Sequence, residues 1–213
     1  MRAGISLAVL LALMPAPLAA QGFLERFSYE GLGLSGIGVD VGGVVSDRLA
    51  RDVTAALHID YGMIAPSVRT LFSVSYFRSR FNDEEIRSFE ERLEALVDDP
   101  DVSISVGEIT WTNVTFDLDL QYVFGPQRRV TPYLGFGIGV HVRNASGAAI
   151  EGTFVEDALD TVAAGLNAST GAEITIARNV RFTVDVRGLL TSELLATTAR
   201  AGVMLRFPRG GGT

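Results

Sequence analysis

A chain of 213 residues with a formal net charge of −7 and no cysteine fits one domain, or at most two small ones, held without disulfides or thiolate–metal sites. The acidic balance argues against a nucleic-acid partner, because phosphate binding needs a basic surface. Hydrophobic residues make up 47% of the chain, yet after the N-terminus no apolar run approaches the ~20 residues of a membrane-spanning helix. Two classes remain: a soluble β-protein, and a membrane β-barrel whose apolar residues fall on alternate positions.

The chain opens Met1-Arg2, continues through an apolar stretch from Ile5 to Met14, and reaches small residues at Ala16, Ala19 and Ala20 before the polar Gln21. A positive start, a short apolar middle and a small-residue end predict a secretory signal peptide over 1–20, cleaved after Ala20 or Ala19. Residues 21–207 are then expected to form the exported domain, with 208–213 as a flexible tail.

From Tyr29 onward the dominant pattern is alternation of apolar and polar residues, the mark of half-buried strands. A first, glycine-rich strand lies within Tyr29 to Val45. A second runs from Thr54 to Met63, with Leu57, Ile59, Tyr61 and Met63 opposed to His58, Asp60 and Gly62. A third spans Thr70 to Phe81, carrying Phe72, Val74 and Tyr76 on its apolar face. The pattern then breaks. Ile86, Phe89, Leu93 and Leu96 recur at helical spacing, Asn82 with Glu85 resembles a capping box, and glutamates fill the other face, so an acidic amphipathic helix is expected over 83–97.

Alternation resumes from Glu108 to Phe124, where Val114, Phe116, Leu118, Leu120 and Tyr122 oppose Asn113, Thr115, Asp117, Asp119 and Gln121. A fifth strand from Thr131 to Arg143 sets Leu134, Phe136, Ile138, Val140 and Val142 against Gly135, Gly137, Gly139, His141 and Arg143. A short helical turn is expected within Val155 to Val162. Strands follow over Leu166 to Ala177, Val180 to Gly188 and Ala199 to Phe207. The connections alternate: tight after the second, fourth and sixth strands, longer elsewhere. Eight strands with short turns at one end and longer loops at the other is the layout of an outer-membrane barrel, with the turns in the periplasm.

The polar face decides between water and lipid. It collects Asp40, Asp60, Asp117, Asp119, Glu173 and Asp185 together with Arg143, Arg181, Arg187, Arg200 and Arg206. Near-balanced acids and bases suit a narrow lumen in which they pair, because an isolated buried charge costs several kcal/mol. Lipid, moreover, tolerates no open strand edge, so the sheet must close. The fold class expected is therefore an all-β, eight-stranded antiparallel up-and-down transmembrane barrel, with a short helix in an external loop.

With the last strand in place, the chain resembles the small outer-membrane β-barrel superfamily, the porin-like barrels related to the OmpA membrane domain and OmpX. The leader, the eight alternating segments and Ala201-Gly202-Val203-Met204-Leu205-Arg206-Phe207 carry the resemblance. It implies an integral place in the outer membrane of a Gram-negative cell, with lipid as the surrounding partner. It also implies that Val203, Leu205 and Phe207 act as the signal read by the barrel-assembly machinery. The tail from Pro208 departs from the family habit of ending on the aromatic residue; with so few residues left, no peptidoglycan-binding domain is expected to follow.

Enzymatic chemistry finds little support. The two histidines, His58 and His141, fall on the polar face, and Ser73, Ser75 and Asp60 are the residues that could join His58. No metal-ligand cluster or cofactor motif stands out, so no cofactor is expected. The reading is a monomeric barrel with a structural or surface-interaction role and a charged, filled lumen, its external partner unidentified. A narrow channel or small-molecule conduit is the alternative, and an outer-membrane lipid-modifying enzyme comes third.

Overall fold

The computed structural model describes residues 28–97, 105–148 and 150–207. The expected signal peptide over 1–20 and the tail over 208–213 lie outside these residues. A 3-10 turn at Tyr29–Gly31 leads into β1 (Leu32–Ser46), β2 (Asp52–Ala65), β3 (Val68–Arg80), β4 (Thr110–Val123), β5 (Val130–Ser146), β6 (Thr161–Ala177), β7 (Val180–Thr191) and β8 (Leu195–Arg206). Each strand pairs antiparallel with its chain neighbour, and β8 returns to β1, with Gly36 opposite Arg206 and Ser46 opposite Ala196. The sheet is thus a closed barrel of eight strands in sequence order.

Alternation in the sequence becomes alternation across the wall, because successive Cβ atoms of a strand point to opposite faces. On β4, Asp117, Asp119 and Gln121 are buried, whereas Leu118 is 49% exposed and Tyr122 equally so. On β5, Leu134, Phe136 and Ile138 stand outside while Tyr133, His141 and Arg143 point in. The apolar face is therefore the outer surface, and the charges occupy the axis. A water-soluble barrel has the reverse arrangement.

Two connections carry helices: α1 (Asp83–Val97) between β3 and β4, and α2 (Phe154–Leu159) between β5 and β6. The Asn82 side-chain carbonyl accepts the Glu85 N–H at 2.8 Å, capping α1 where the sequence places its start. Asp83, Glu84 and Glu85 fill the first turn, where the helix dipole favours negative charge. The apolar side of α1, through Ile86, Phe89 and Leu93, packs onto a cluster of buried residues at the long-loop mouth that includes Leu49, Phe77, Phe81, Ile109, Trp111 and Leu194. This cluster roofs the barrel.

The strands run further toward the loops than alternation indicates. β6 begins at Thr161, five residues before Leu166, and β7 continues to Thr191. Consequently the helical turn expected over Val155 to Val162 stops at Leu159, and its last residues belong to the sheet. Ladder hydrogen bonds are made by the backbone, so pairing continues through Ala163, Ala164 and Gly165, whose side chains leave no period-two apolar signal.

Candidate functional site

The lumen fills in tiers. Nearest the short turns, Arg69 of β3 sits fully inside the barrel. Its Nη1 pairs with Glu173 of β6 and lies 3.3 Å from Asp60 Oδ2 of β2, while its Nε donates to Gln121 Oε1 at 3.1 Å. Arg206 pairs with the same Asp60, and Arg181 Nη1 donates to Glu173 Oε2 at 2.7 Å. Below this belt opens a vestibule of about 650 Å³, lined by Ser35, Met63 and Gln127 as well as the three arginines.

The middle tier is built on Arg187 of β7, which donates to Asp119 Oδ2 at 2.7 Å and Asp117 Oδ2 at 3.2 Å. Beside it, Arg200 reaches Asp185 Oδ1 at 2.8 Å, and the Tyr133 hydroxyl donates to the other oxygen of Asp185 at 2.9 Å. The glycines of β5 make room for this tier. A Cβ on Gly137 would strike Asp119 Oδ1, and one on Gly139 would strike Asp117 Oδ1. Across the lumen, Asp40 accepts from the Thr183 hydroxyl at 2.7 Å and lies 2.6 Å from His58 Nε2. On its other side, His58 Nδ1 and Ser73 Oγ share a hydrogen bond of 3.1 Å. The space left among Asp40, His58, Tyr133, Asp185 and Arg187 is about 10 Å³.

At the mouth, Arg143 Nη1 donates to Glu193 of the β7–β8 connection at 2.9 Å, and Nη2 donates to Thr191 Oγ1 at 2.6 Å. Its guanidinium lies over the Trp111 ring, 5.0 Å from the centroid, a favourable cation–π placement. Trp111 packs on Phe81 at 4.9 Å between ring centroids, and its indole N–H donates to the Leu159 carbonyl at 3.1 Å. Polar lumen and apolar roof meet here.

Asp40, Asp60, Asp117, Asp119, Glu173, Arg181, Asp185, Arg187, Arg200 and Arg206 all face the lumen and take part in these contacts. Arg143 stands apart, paired with a loop glutamate rather than a lumen acid. Arg69 escapes the sequence reading because alternation places the start of the third strand at Thr70. β3 in fact begins at Val68, and Arg69 shares the inward parity of Ser73. Gln121, Tyr133 and the His58–Asp40 contact were likewise not identified as partners. Val203, Leu205 and Phe207 stand on the outer face.

Ser73, His58 and Asp40 form a hydroxyl–imidazole–carboxylate line, with Asp40 in the place the sequence offered to Asp60. Nucleophilic catalysis needs a carbonyl within reach of the hydroxyl and donors for the oxyanion. Here Ser73 is 0% exposed, and its hydroxyl also lies 3.4 Å from Asp119 Oδ2. No substrate carbonyl can reach it in this arrangement. Among the described residues there is no group of three or more His, Cys, Asp or Glu able to hold a metal ion.

Closed antiparallel strands, charges at the axis and an apolar outer band belong together only where lipid surrounds the wall. The chain belongs to the outer membrane protein β-barrel domain family. The family's sequence model matches residues 6–207. No curated protein matches the chain. Among solved structures, this outer membrane protein resembles Neisserial surface protein A, at 16% identity and a TM-score of 0.53 over 81% of this chain and 96% of that one. It is similar too to the N-terminal β-barrel domain of Pseudomonas aeruginosa OprF, at 16% identity and a TM-score of 0.50 over 82% and 99% of the two chains. At these identities the likeness shows the fold.

Proposed function

We propose that this protein sits in the outer membrane as a closed, non-conducting, monomeric barrel that acts through its external loops, in a structural or surface-interaction role. The observation that carries the reading is the middle tier. The pocket bounded by both tiers of ion pairs holds about 10 Å³, less than a hydrated ion requires, and an apolar roof lies above. Eight strands enclose an interior just wide enough for side chains, and here long arginines occupy it. Family membership supports the location.

The narrow-channel alternative has the periplasmic vestibule in its favour. That space ends at the belt of Asp60, Arg69 and Arg206. An enzymatic role would need the Ser73–His58–Asp40 line to open toward a substrate, and each member is buried by neighbours from other strands. In the proposed reading the outward Val203, Leu205 and Phe207 serve the barrel-assembly machinery during insertion, and lipid is the only partner of the wall.

Planar-bilayer recording from the purified, folded protein tests the proposal. The expected result is a flat current trace at any applied potential. Steady single-channel steps of uniform size would establish the conduit instead.

A further inference from the structure

The belt that closes the lumen at the short-turn end is not neutral. Its cations are Arg69, Arg181 and Arg206 and its acids are Asp60 and Glu173, so one positive charge is in surplus. The acids are fully spent. Asp60 Oδ2 takes Arg69 and Arg206 while Oδ1 accepts the Gly62 N–H at 2.7 Å, and the two oxygens of Glu173 take Arg69 and Arg181. Arg69 is spent as well, its other nitrogens bonded to Gln121. The acids of the middle tier, Asp40, Asp117, Asp119 and Asp185, line no part of the vestibule.

Arg181 and Arg206 are different. Each uses one nitrogen, Nη1, in the belt. Their side chains are 18% and 20% exposed, and neither holds a nitrogen that is both buried and unbonded. A guanidinium has five N–H donors, so most of theirs are free toward the vestibule that both residues line. Strand register brings the two together. Arg181 of β7 pairs with Met204 of β8, which makes Arg206 its diagonal neighbour on the same face, within reach for long side chains. Among the described residues, Asp60 is the only acid in the vestibule wall, and it is 0% exposed. The space thus presents two unspent guanidinium forks and no accessible carboxylate.

A surplus charge held away from water is costly, and an anion arriving there relieves it. Guanidinium forks match carboxylates and phosphates. A carboxylate has only two oxygens to share between two forks, whereas a phosphate ester brings three. We infer that the vestibule is a binding site for inorganic phosphate or a small soluble phosphate ester, held between Arg181 and Arg206 and entering between the short turns. The site rests on the outer-membrane placement, which opens it to the periplasm, and not on whether the lumen conducts.

The full-length protein, folded in dodecyl maltoside micelles that carry no phosphate of their own, is titrated with inorganic phosphate at low salt. Binding is read as saturable broadening of the phosphorus-31 resonance. Arg206→Gln, which leaves Asp60 paired with Arg69, weakens binding about tenfold or more, the effect of one charge-assisted hydrogen bond. Arg181→Gln, which leaves Glu173 paired with Arg69, does the same and serves if the first variant lacks heat-modifiable migration on gels. Arg178→Gln, on the exposed turn outside the lumen, changes nothing. Acetate competes about tenfold less well than phosphate, having fewer oxygens to accept. Phosphatidylglycerol added to the micelles leaves phosphate binding as it was. Absence of saturable broadening with the native protein overturns the proposal, as does binding that both lumen variants retain or that Arg178→Gln weakens equally. Acetate competing as well as phosphate overturns the ligand class, and displacement by phosphatidylglycerol assigns the site to a lipid headgroup instead of a soluble phosphate.

Discussion

The lumen and the roof are both buried, and they are built on opposite principles. Around Arg187 the barrel interior is held by ion pairs and charge-assisted hydrogen bonds to Asp117 and Asp119. A few residues toward the loops, the interior is Phe77, Phe81, Ile109 and Trp111. The surroundings account for the change. The wall faces acyl chains, so turning apolar residues inward there gains little, and long paired side chains fill the axis instead. The loops face water, where burying apolar surface is the dominant stabilising term. One chain thus closes itself as a membrane protein at its waist and as a soluble protein at its lip.

The strongest way to break this contrast is to orphan the lumen charges. Arg187→Leu leaves Asp117 and Asp119 buried without their cation, an expected loss of about 3–5 kcal/mol. It is read as a lower urea midpoint for the shift between folded and unfolded gel forms in liposomes. Adding Asp117→Asn and Asp119→Asn to the same chain recovers most of that loss, because uncharged amides need no counter-ion. If the triple variant is no better than the single one, the arginine acts by packing rather than by charge.

Next in size is the roof. Trp111→Ala removes the aromatic centre of the cluster, with an expected cost of about 3 kcal/mol. Since α1 rests on that cluster while the ladder below is untouched, the loss falls on local opening. Tryptic cleavage after Arg87 and Arg92 should therefore speed up about a hundredfold, with the heat-modifiable barrel retained. Unchanged cleavage would mean that the helix is held by something other than its apolar face. The smallest effect is expected at the cap. Asn82→Ala leaves the Glu85 N–H without its acceptor and costs α1 about 1 kcal/mol, seen as roughly fivefold faster cleavage at the same two bonds.

The helix was the most legible loop element. Its apolar spacing and its Asn82 cap are local, and the structure shows Asp83–Val97 as a helix capped there. The strand limits toward the loops were less legible, because β6 starts with small side chains that carry no facing signal. Arg69 shows the same limit at the other end. It stands one residue into β3, where Leu71 on its own face interrupts the polar alternation. The roof could not be read, since Val44, Phe77, Trp111 and Leu194 come together from four separate stretches.

What the sequence determined by itself is which residues share a face and, through the opposition of charge to grease, which face turns from lipid. Backbone geometry repeats every two residues, so parity is a local property. Which acid meets which base was decided only by closure. Arg69 meets Glu173, 104 positions away, and Arg206 meets Asp60, 146 away. The register at each of eight seams fixes the height of every side chain on the axis, and the seam between β1 and β8 closes only if the other seven registers agree with it.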